Sequence, residues 1–348
     1  MNGAESLVRT LALNGIEVCF TNPGTSEMHF MAALDRTDAL RCVLGLQENV
    51  VTGAADGYGR MAEKPAATLL HLGPGLGNGL ANLHNANKAG TGIVNIVGDH
   101  ATYHLEYNAP LTADVEGIAW PVSKWVKTSP TSEGVAADGA EAVRQAGIHP
   151  GQIATLILPA NTAWGDGAEP VKAAKPNSPA APAAEAVEQA AKTLSSGAPT
   201  ALYLKGHVLR GKGLELAGRI AAKTGCRLVA PTSNARMDRG AGRVAVERVP
   251  YVVAQALERL APLKHVIGIG DSEPVAFFAY PDKPSRLMPA GAVATELADT
   301  GADIEGALEA LAAELGALST PPANVAAVRR PDIPDGPNNA ATIAPVLG

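Results

Sequence analysis

Short apolar runs alternate with amphipathic stretches from the start of the chain. In the first half, runs of strand length are separated by Ala-rich segments with helical periodicity, such as 5–13 and 50–61. Continuously apolar strands separated by helices are typical of a parallel sheet covered on both faces. The pattern therefore predicts an α/β domain whose strands are 17–21, 41–46, 67–71, 93–97, 122–127 and 154–159.

A Pro-rich and Ala-rich segment interrupts the pattern, and a second alternating region follows it. This region predicts strands at 200–205, 227–230 and 265–269, and helices at 214–223, 251–260 and 304–315. We therefore predict two doubly wound parallel-sheet domains. The predicted limits are 1–165 for the first domain, 166–183 for a linker, 184–320 for a central domain, and 321–348 for a connector that ends in a helix at 340–347.

Composition narrows the class of protein. Hydrophobic residues make up 46% and charged residues 18% of the chain, as in a globular enzyme. A net charge of −6 disfavours a nucleic-acid or membrane partner. The three cysteines lie far apart without a Cys-x-x-Cys spacing, so we expect buried free thiols. Neither a signal peptide nor a membrane helix is indicated, and this predicts a cytoplasmic protein.

Three segments that follow predicted strands have compositions suited to ligand binding. Residues 22–27 (NPGTSE) predict a tight turn in which Thr25 or Ser26 caps the next helix. Glu48 lies at the predicted start of a helix, where the helix dipole favours its charge. Residues 72–79 form a glycine-rich loop. Ligands of open parallel sheets bind at the carboxyl ends of the strands, so these segments are candidates for one site.

Each segment also has a simpler interpretation. The first can be a well-made turn, and Glu48 can be a solvated residue of a first helical turn. The glycine-rich segment invites a dinucleotide site, with Asp99 at the end of the next strand. Its spacing departs from Gly-x-Gly-x-x-Gly, since Asn78 or Asn82 occupies the last position in the two registers. A dinucleotide-binding protein stays as an alternative.

Taken together, the three segments resemble the pyrimidine-binding domain of thiamine-diphosphate enzymes. The sequences NPGTSE at 22–27, LQENVVTGAADGYGRM at 46–61 and HLGPGLGNGLANLHNA at 71–86 are similar to the acetolactate synthase and benzoylformate decarboxylase group. The resemblance covers the first 165 residues, and the second domain is similar in layout more than in residues. It implies a 2-oxo-acid enzyme that cleaves or forms C–C bonds through an enamine.

The resemblance also implies roles for individual residues. Glu48 matches the carboxylate that shares a proton with the pyrimidine ring of thiamine diphosphate and so activates the cofactor. His71 matches an active-site histidine used for proton transfer, and Thr25 matches a hydroxyl that faces the substrate carboxylate. Further cofactor-binding residues implied by the alignment are Pro23, Gly24 and Asn78.

The chain departs from this group at two places in its second half. Residues 271–284 contain no histidine, although the decarboxylases carry a second catalytic histidine there. The same stretch lacks the charged run that accompanies FAD in acetolactate synthases, so FAD is not predicted. We also predict no metal site on this chain, because His100 and His104 lack a third ligand for zinc.

In this family a third domain, marked by a Gly-Asp-Gly triplet, binds Mg²⁺ and the diphosphate. The triplet at 165–167 lies in the Pro-rich segment and does not fit that role. We therefore expect a fragment that lacks this domain and is inactive or nearly so alone, whether truncated, cleaved or completed by a separate polypeptide. The intact protein is expected to be a homodimer or homotetramer that takes a 2-oxo acid. A catalytically dead regulatory or scaffold homologue is the alternative.

Overall fold

The computed structural model describes residues 1–38, 40–328 and 332–347. The chain divides into two compact units, Met1–Pro179 and Ala180–Gly348. Each unit contains one sheet whose named strands all pair in parallel, with helices on both faces. This confirms the predicted α/β class with two parallel sheets.

Unit 1 alternates strands and helices as the apolar pattern predicted. Its strands are β1 (Val18–Asn22), β2 (Arg41–Leu44), β3 (Ala66–Leu70), β4 (Ile93–Asp99), β5 (Trp125–Thr128) and β6 (Ile153–Pro159). Its helices are α1 (Gly3–Leu13), α2 (Met28–Asp35), α3 (Glu48–Ala62), α4 (Leu72–Ala89), α5 (Val115–Ala119), α6 (Val135–Ala146) and α7 (Ala160–Trp164). Two 3₁₀ turns lie at Thr25–Glu27 and Thr102–Tyr107.

The strand order of the unit 1 sheet is β2-β1-β3-β4-β6-β5. Strands β3, β4 and β6 are buried along their whole length, because α1, α2 and α6 cover one face and α3, α4 and α5 cover the other. The chain winds outward from β1 in one direction and from β3 in the other. The gap between their carboxyl ends is therefore the topological switch point, where open α/β sheets bind ligands.

The Pro-rich segment packs onto unit 1 instead of crossing solvent. The backbone oxygen of Ala168 accepts a hydrogen bond from Ser6 of α1 (2.6 Å), and the Val171 backbone amide donates to Thr10 (3.2 Å). Asn14 at the end of α1 accepts from the Ala173 amide (2.8 Å). These contacts explain why unit 1 extends to Pro179.

Unit 2 contains a smaller sheet, whose strand order is β11-β10-β7-β8-β9. Its strands are β7 (Thr200–Leu204), β8 (Arg227–Ala230), β9 (Glu247–Arg248), β10 (His265–Ile269) and β11 (Val293–Ala298). Its helices are α8 (Ala184–Ser195), α9 (Gly211–Thr224), α10 (Val253–Leu260), α11 (Ile304–Glu314) and α12 (Ala340–Leu347), and a 3₁₀ turn lies at Gly206–Leu209. Within the described ranges, no helix is both long enough and apolar enough to span a membrane.

Two strands of unit 2 were not predicted, namely β9 and β11. Both lie at the edges of the sheet, β9 has two exposed residues, and β11 becomes buried only at its end. An edge strand faces solvent along part of its surface, so it lacks the continuous apolar run by which the central strands were found.

Candidate active site

Three segments of unit 1 converge at the switch point between β1 and β3. The turn after β1, the start of α3 after β2 and the start of α4 after β3 all lie at the same edge of the sheet. Asn22 donates a hydrogen bond to the Gly45 backbone oxygen (2.8 Å), which joins the first two segments. Asn82 of α4 donates to the Asn49 oxygen of α3 (2.7 Å), which joins the second and third.

Glu48 is the first residue of α3, and Gln47 caps the helix by accepting from the Val50 amide (3.2 Å). Glu48 is half-buried. Its Oε2 accepts a hydrogen bond from Asn78 of α4 (3.0 Å). Its Oε1 would lie 3.3 Å from a Cβ atom placed on Gly75. Glu48 thus faces the start of α4 across a glycine.

His71 precedes α4 as its N-cap residue and approaches the same glycine. A Cβ on Gly75 would be 3.3 Å from the His71 Cβ. The imidazole Nδ1 lies 2.8 Å from Oε2 of Glu27, and the side chain is 24% exposed. Gly24 makes room for the ring, because a Cβ there would be 2.3 Å from Nδ1. The structure therefore brings His71 and Glu48 to one position.

The backbone after His71 is strained. Leu72 has a φ of +49°, in the left-handed region that residues other than glycine rarely adopt, and its side chain is fully buried. Such a conformation costs on the order of 1–3 kcal/mol and persists where the surrounding packing fixes it. The strained junction lies directly after His71, at the start of α4.

The glycine-rich segment is a helix and was wrongly predicted as a loop. Its glycines lie inside α4, which begins at Leu72. Thr52 of α3 donates to the Gly79 backbone oxygen (3.0 Å), and a Cβ on Gly79 would be 3.0 Å from the Thr52 methyl group. The glycine therefore serves close packing of α3 against α4. A dinucleotide fingerprint needs its glycines in a loop between strand and helix, so this observation argues against that alternative.

The remaining predicted residues lie in the turn after β1 and on α4. Pro23 and Gly24 are half-buried, whereas Thr25 is exposed at the start of the 3₁₀ turn. Asn78 is exposed and contacts the site through its bond to Glu48.

Glu27 is a site residue that sequence reasoning missed. Its side chain is 2% exposed, and its Oε2 accepts from the Gly24 amide (2.7 Å) while contacting His71. Burial raises the pKa of the Glu27 carboxyl, and the hydrogen bonds from Gly24 and His71 oppose that effect. The three-residue spacing between Gly24 and Glu27 was the available signal, since it lets a Glu side chain bond to the backbone at the start of its own turn.

Within the parts of the chain that the structure describes, no three His, Cys, Asp or Glu side chains form a group that could hold a metal ion. The rings of His100 and His104 are neighbours, with centroids 5.4 Å apart.

The chain is similar to known proteins in sequence and in fold. Residues 1–118 match the N-terminal TPP-binding domain of thiamine pyrophosphate enzymes. The whole chain is 48% identical to a Mycobacterium tuberculosis protein named as an acetolactate synthase large subunit, IlvX, and covers 66% of its length. The chain belongs to the thiamine pyrophosphate enzyme family.

More distant members share parts of the chain or its fold. Over 164 residues, 47% of this chain and 30% of the relative, it is 29% identical to benzoylformate decarboxylase of Pseudomonas aeruginosa. A solved 4-hydroxybenzoylformate decarboxylase from Rhodococcus jostii, itself thiamine diphosphate-dependent, has the same fold, with a TM-score of 0.78 at 21% identity. That comparison covers 98% of this chain and 66% of the other. The chain thus spans about two thirds of the length of its longer-matching relatives.

Proposed function

We infer that the chain acts in a thiamine-diphosphate-dependent enzyme that breaks or forms a C–C bond of a 2-oxo acid. The observation that carries this proposal is the convergence of Glu48 and His71 on Gly75, where two helix starts meet at the switch point of the sheet. When bound, thiamine diphosphate supplies a carbon nucleophile for the 2-oxo group and an electron sink for the bond that breaks.

The residues around Gly75 fit the pyrimidine half of the cofactor. Glu48 packs closely against Gly75, and a carboxylate at a helix start can exchange a proton with a ring nitrogen. Because Asn78 donates to Oε2 of Glu48, we assign Oε1 as the oxygen that holds the shared proton. Asn78 then orients the carboxyl, and Pro23 and Gly24 shape the neighbouring wall.

We assign His71 and Thr25 to the substrate. The Nδ1 atom of His71 is engaged by Glu27, so Nε2 is the nitrogen that remains for proton transfer. The exposed hydroxyl of Thr25, on the neighbouring turn, is assigned to the substrate carboxylate.

The proposal for this chain covers only the pyrimidine half of the cofactor. Mg²⁺ bound to a diphosphate needs several oxygen ligands, and no cluster of three acidic side chains is found among the described residues. We propose that other protein residues, in a further domain or a separate polypeptide, bind the diphosphate and Mg²⁺. On that proposal, activity without them is low.

Apolar side chains next to Glu48 suggest how the site is enclosed. Leu46 is 90% exposed and Val50 is 61% exposed, and they flank the carboxyl in sequence. Exposed apolar side chains beside a polar site are typical of surfaces that a partner covers. We propose that a second subunit covers them in a homodimer or homotetramer, which would also dry the site.

The test is binding of thiamine diphosphate with Mg²⁺ to the 348-residue chain mixed with a diphosphate-binding domain of a thiamine-diphosphate enzyme, measured by calorimetry and near-ultraviolet circular dichroism. Glu48→Gln should abolish the dichroic signal of the bound pyrimidine, whereas Glu133→Gln, at an exposed glutamate, should leave it unchanged. Release of CO₂ from pyruvate and benzoylformate then identifies the substrate class. Identical cofactor responses of wild type and Glu48→Gln contradict the proposal, and no response in any chain favours a regulatory or scaffold role.

A further inference from the structure

Glu27 is buried in surroundings that are unfavourable for a carboxyl group. Its Oε1 is buried and has no hydrogen-bond partner among the residues that the structure describes. Gly98 of β4 lies directly against that oxygen, since a Cβ at this position would be 1.7 Å away. A buried polar atom without a partner costs free energy, so such an arrangement calls for an explanation.

Three backbone segments enclose this carboxyl. Gly24 approaches from the turn after β1, His71 from the end of β3 and Gly98 from β4. The titratable groups nearby are His71 itself, Asp99, which follows Gly98, and Glu48, which approaches Gly75 as His71 does. The Nδ1 atom of His71 lies 2.8 Å from Oε2 of Glu27. The Glu27 carboxyl is therefore placed to interact with the imidazole of His71.

The hydrogen bonds determine which ring nitrogen carries the proton. Oε2 of Glu27 already accepts from the Gly24 amide, so it contacts His71 Nδ1 as an acceptor when ionised. A neutral imidazole has one N–H, and a carboxylate at Nδ1 keeps that hydrogen on Nδ1. The lone pair then lies on Nε2, the nitrogen assigned above to the substrate.

We propose that Glu27 is a positioning residue that holds His71 as its Nδ1–H tautomer and stabilises the imidazolium that forms when Nε2 takes up a proton. This inference rests on the proposed function. In the working cycle, Nε2 receives one proton from solvent and gives it to the substrate-derived carbon or oxygen, and the ring returns to the neutral Nδ1–H form. Glu27 neither donates nor accepts a proton, so the balance is one proton taken up and one delivered.

The direct test is nitrogen NMR of the full chain labelled with ¹⁵N-histidine, in which ring shifts distinguish the two tautomers. The His71 signal is assigned by its loss in His71→Gln. In wild type, we expect the Nδ1–H tautomer. In Glu27→Ala, the Nε2–H tautomer, which is commoner in water, should become populated. Glu27→Gln should retain Nδ1–H, because its amide oxygen can accept from both Gly24 and His71.

The control Glu133→Gln changes an exposed glutamate and should leave the His71 signals unchanged. A wild-type spectrum dominated by the Nε2–H tautomer overturns the proposal, as does an unaltered His71 signal in Glu27→Ala. The wild-type spectrum alone shows which tautomer of His71 is populated. The proposal can therefore be tested even if Glu27→Ala does not fold.

A kinetic readout separates this proposal from the proposed function. In cofactor-loaded enzyme, Glu27→Ala should lower kcat by about 10²–10⁴-fold, the range for loss of a general acid–base group, while cofactor affinity stays the same. If Glu48→Gln has no effect on the cofactor response, the proposed function fails and the tautomer result still stands. If Glu48→Gln abolishes that response but Glu27→Ala changes neither kcat nor tautomer, only the role of Glu27 fails.

Discussion

Replacing Gly98 with alanine should disturb the candidate active site without replacing any of its polar side chains. The added Cβ would lie 1.7 Å from Oε1 of Glu27 and 2.5 Å from its carboxyl carbon. Ordinary van der Waals contact begins at 3.4 Å, so the carboxyl must move by about 1.7 Å. The Glu27 side chain is enclosed on all sides, and such a shift breaks its 2.8 Å contact with His71.

The size of the effect follows from overpacking of a buried site. Inserting a methyl group into a well-packed interior typically costs about 1–3 kcal/mol. For a unit of this size, 1 kcal/mol corresponds to roughly 2–4 °C in Tm, so Gly98→Ala should lower the melting temperature of unit 1 by about 2–12 °C. The matched control is Gly57→Ala in α3, where an added Cβ meets nothing within 4 Å. Helix propensity predicts that this control is stabilised by up to about 1 kcal/mol.

Differential scanning calorimetry gives the two melting temperatures, and the histidine NMR spectrum reports on His71 in the same samples. We expect Gly98→Ala to lower the Tm and to lose the single His71 tautomer, and Gly57→Ala to do neither. If Gly98→Ala melts at the wild-type temperature and keeps the wild-type His71 signals, Glu27 does not lie against β4 as described. The reasoning about its enclosure is then wrong.

Two further predictions concern buried polar groups of unit 1. Burial raises the pKa of the Glu27 carboxyl above its ordinary value of 4.5. The folded chain therefore binds the carboxyl proton more tightly than the unfolded chain does, which stabilises the fold at low pH. This stabilisation is lost as pH rises above 4.5. Melting temperatures from about pH 4 to 8 should therefore fall more steeply for wild type than for Glu27→Gln, and parallel curves contradict this sign. Asn95 joins β3 to β6, accepting from Thr68 (2.7 Å) and donating to Thr155 (2.9 Å). Asn95→Ala should cost about 2–3 kcal/mol in urea unfolding because the Thr68 hydroxyl is left unpaired, while the exposed Asn85→Ala stays within about 0.5 kcal/mol of wild type.

The central strands could be predicted because a strand that is buried on both faces consists mostly of apolar residues. β4 and β6 are buried at every position, and most of their residues are apolar. The ends of the predicted elements differ from the structure by a few residues, as at β5, which begins at Trp125 and not at Val122. The apolar run there includes Val122, which is buried before the strand begins. An apolar pattern reports burial, and burial extends beyond the hydrogen-bonded ladder.

The start of α4 shows where local propensity fails. Glycine favours turns when considered alone, and the run from Leu72 to Gly79 was therefore predicted as a loop. In the structure, the close approach of α3 selects small residues on the contacting face of α4, and packing outweighs the propensity cost. No single segment contains that information, because the requirement arises from Thr52 on another helix.

The same limit explains why the position of Glu48 at a helix start could be predicted and the burial of Glu27 could not. Glu48 lies at the end of a strand and the start of a helix, and the chain itself predicts that junction. Glu27 also precedes a helix, but its burial depends on Gly98 and His71, which other strands supply. The two carboxyls consequently differ in what they can do. Half-buried Glu48 is accessible from solvent and can meet a ligand directly, whereas enclosed Glu27 can act only through His71. Two carboxyls in such different surroundings can serve one site in different roles, and the environment assigns the role to each.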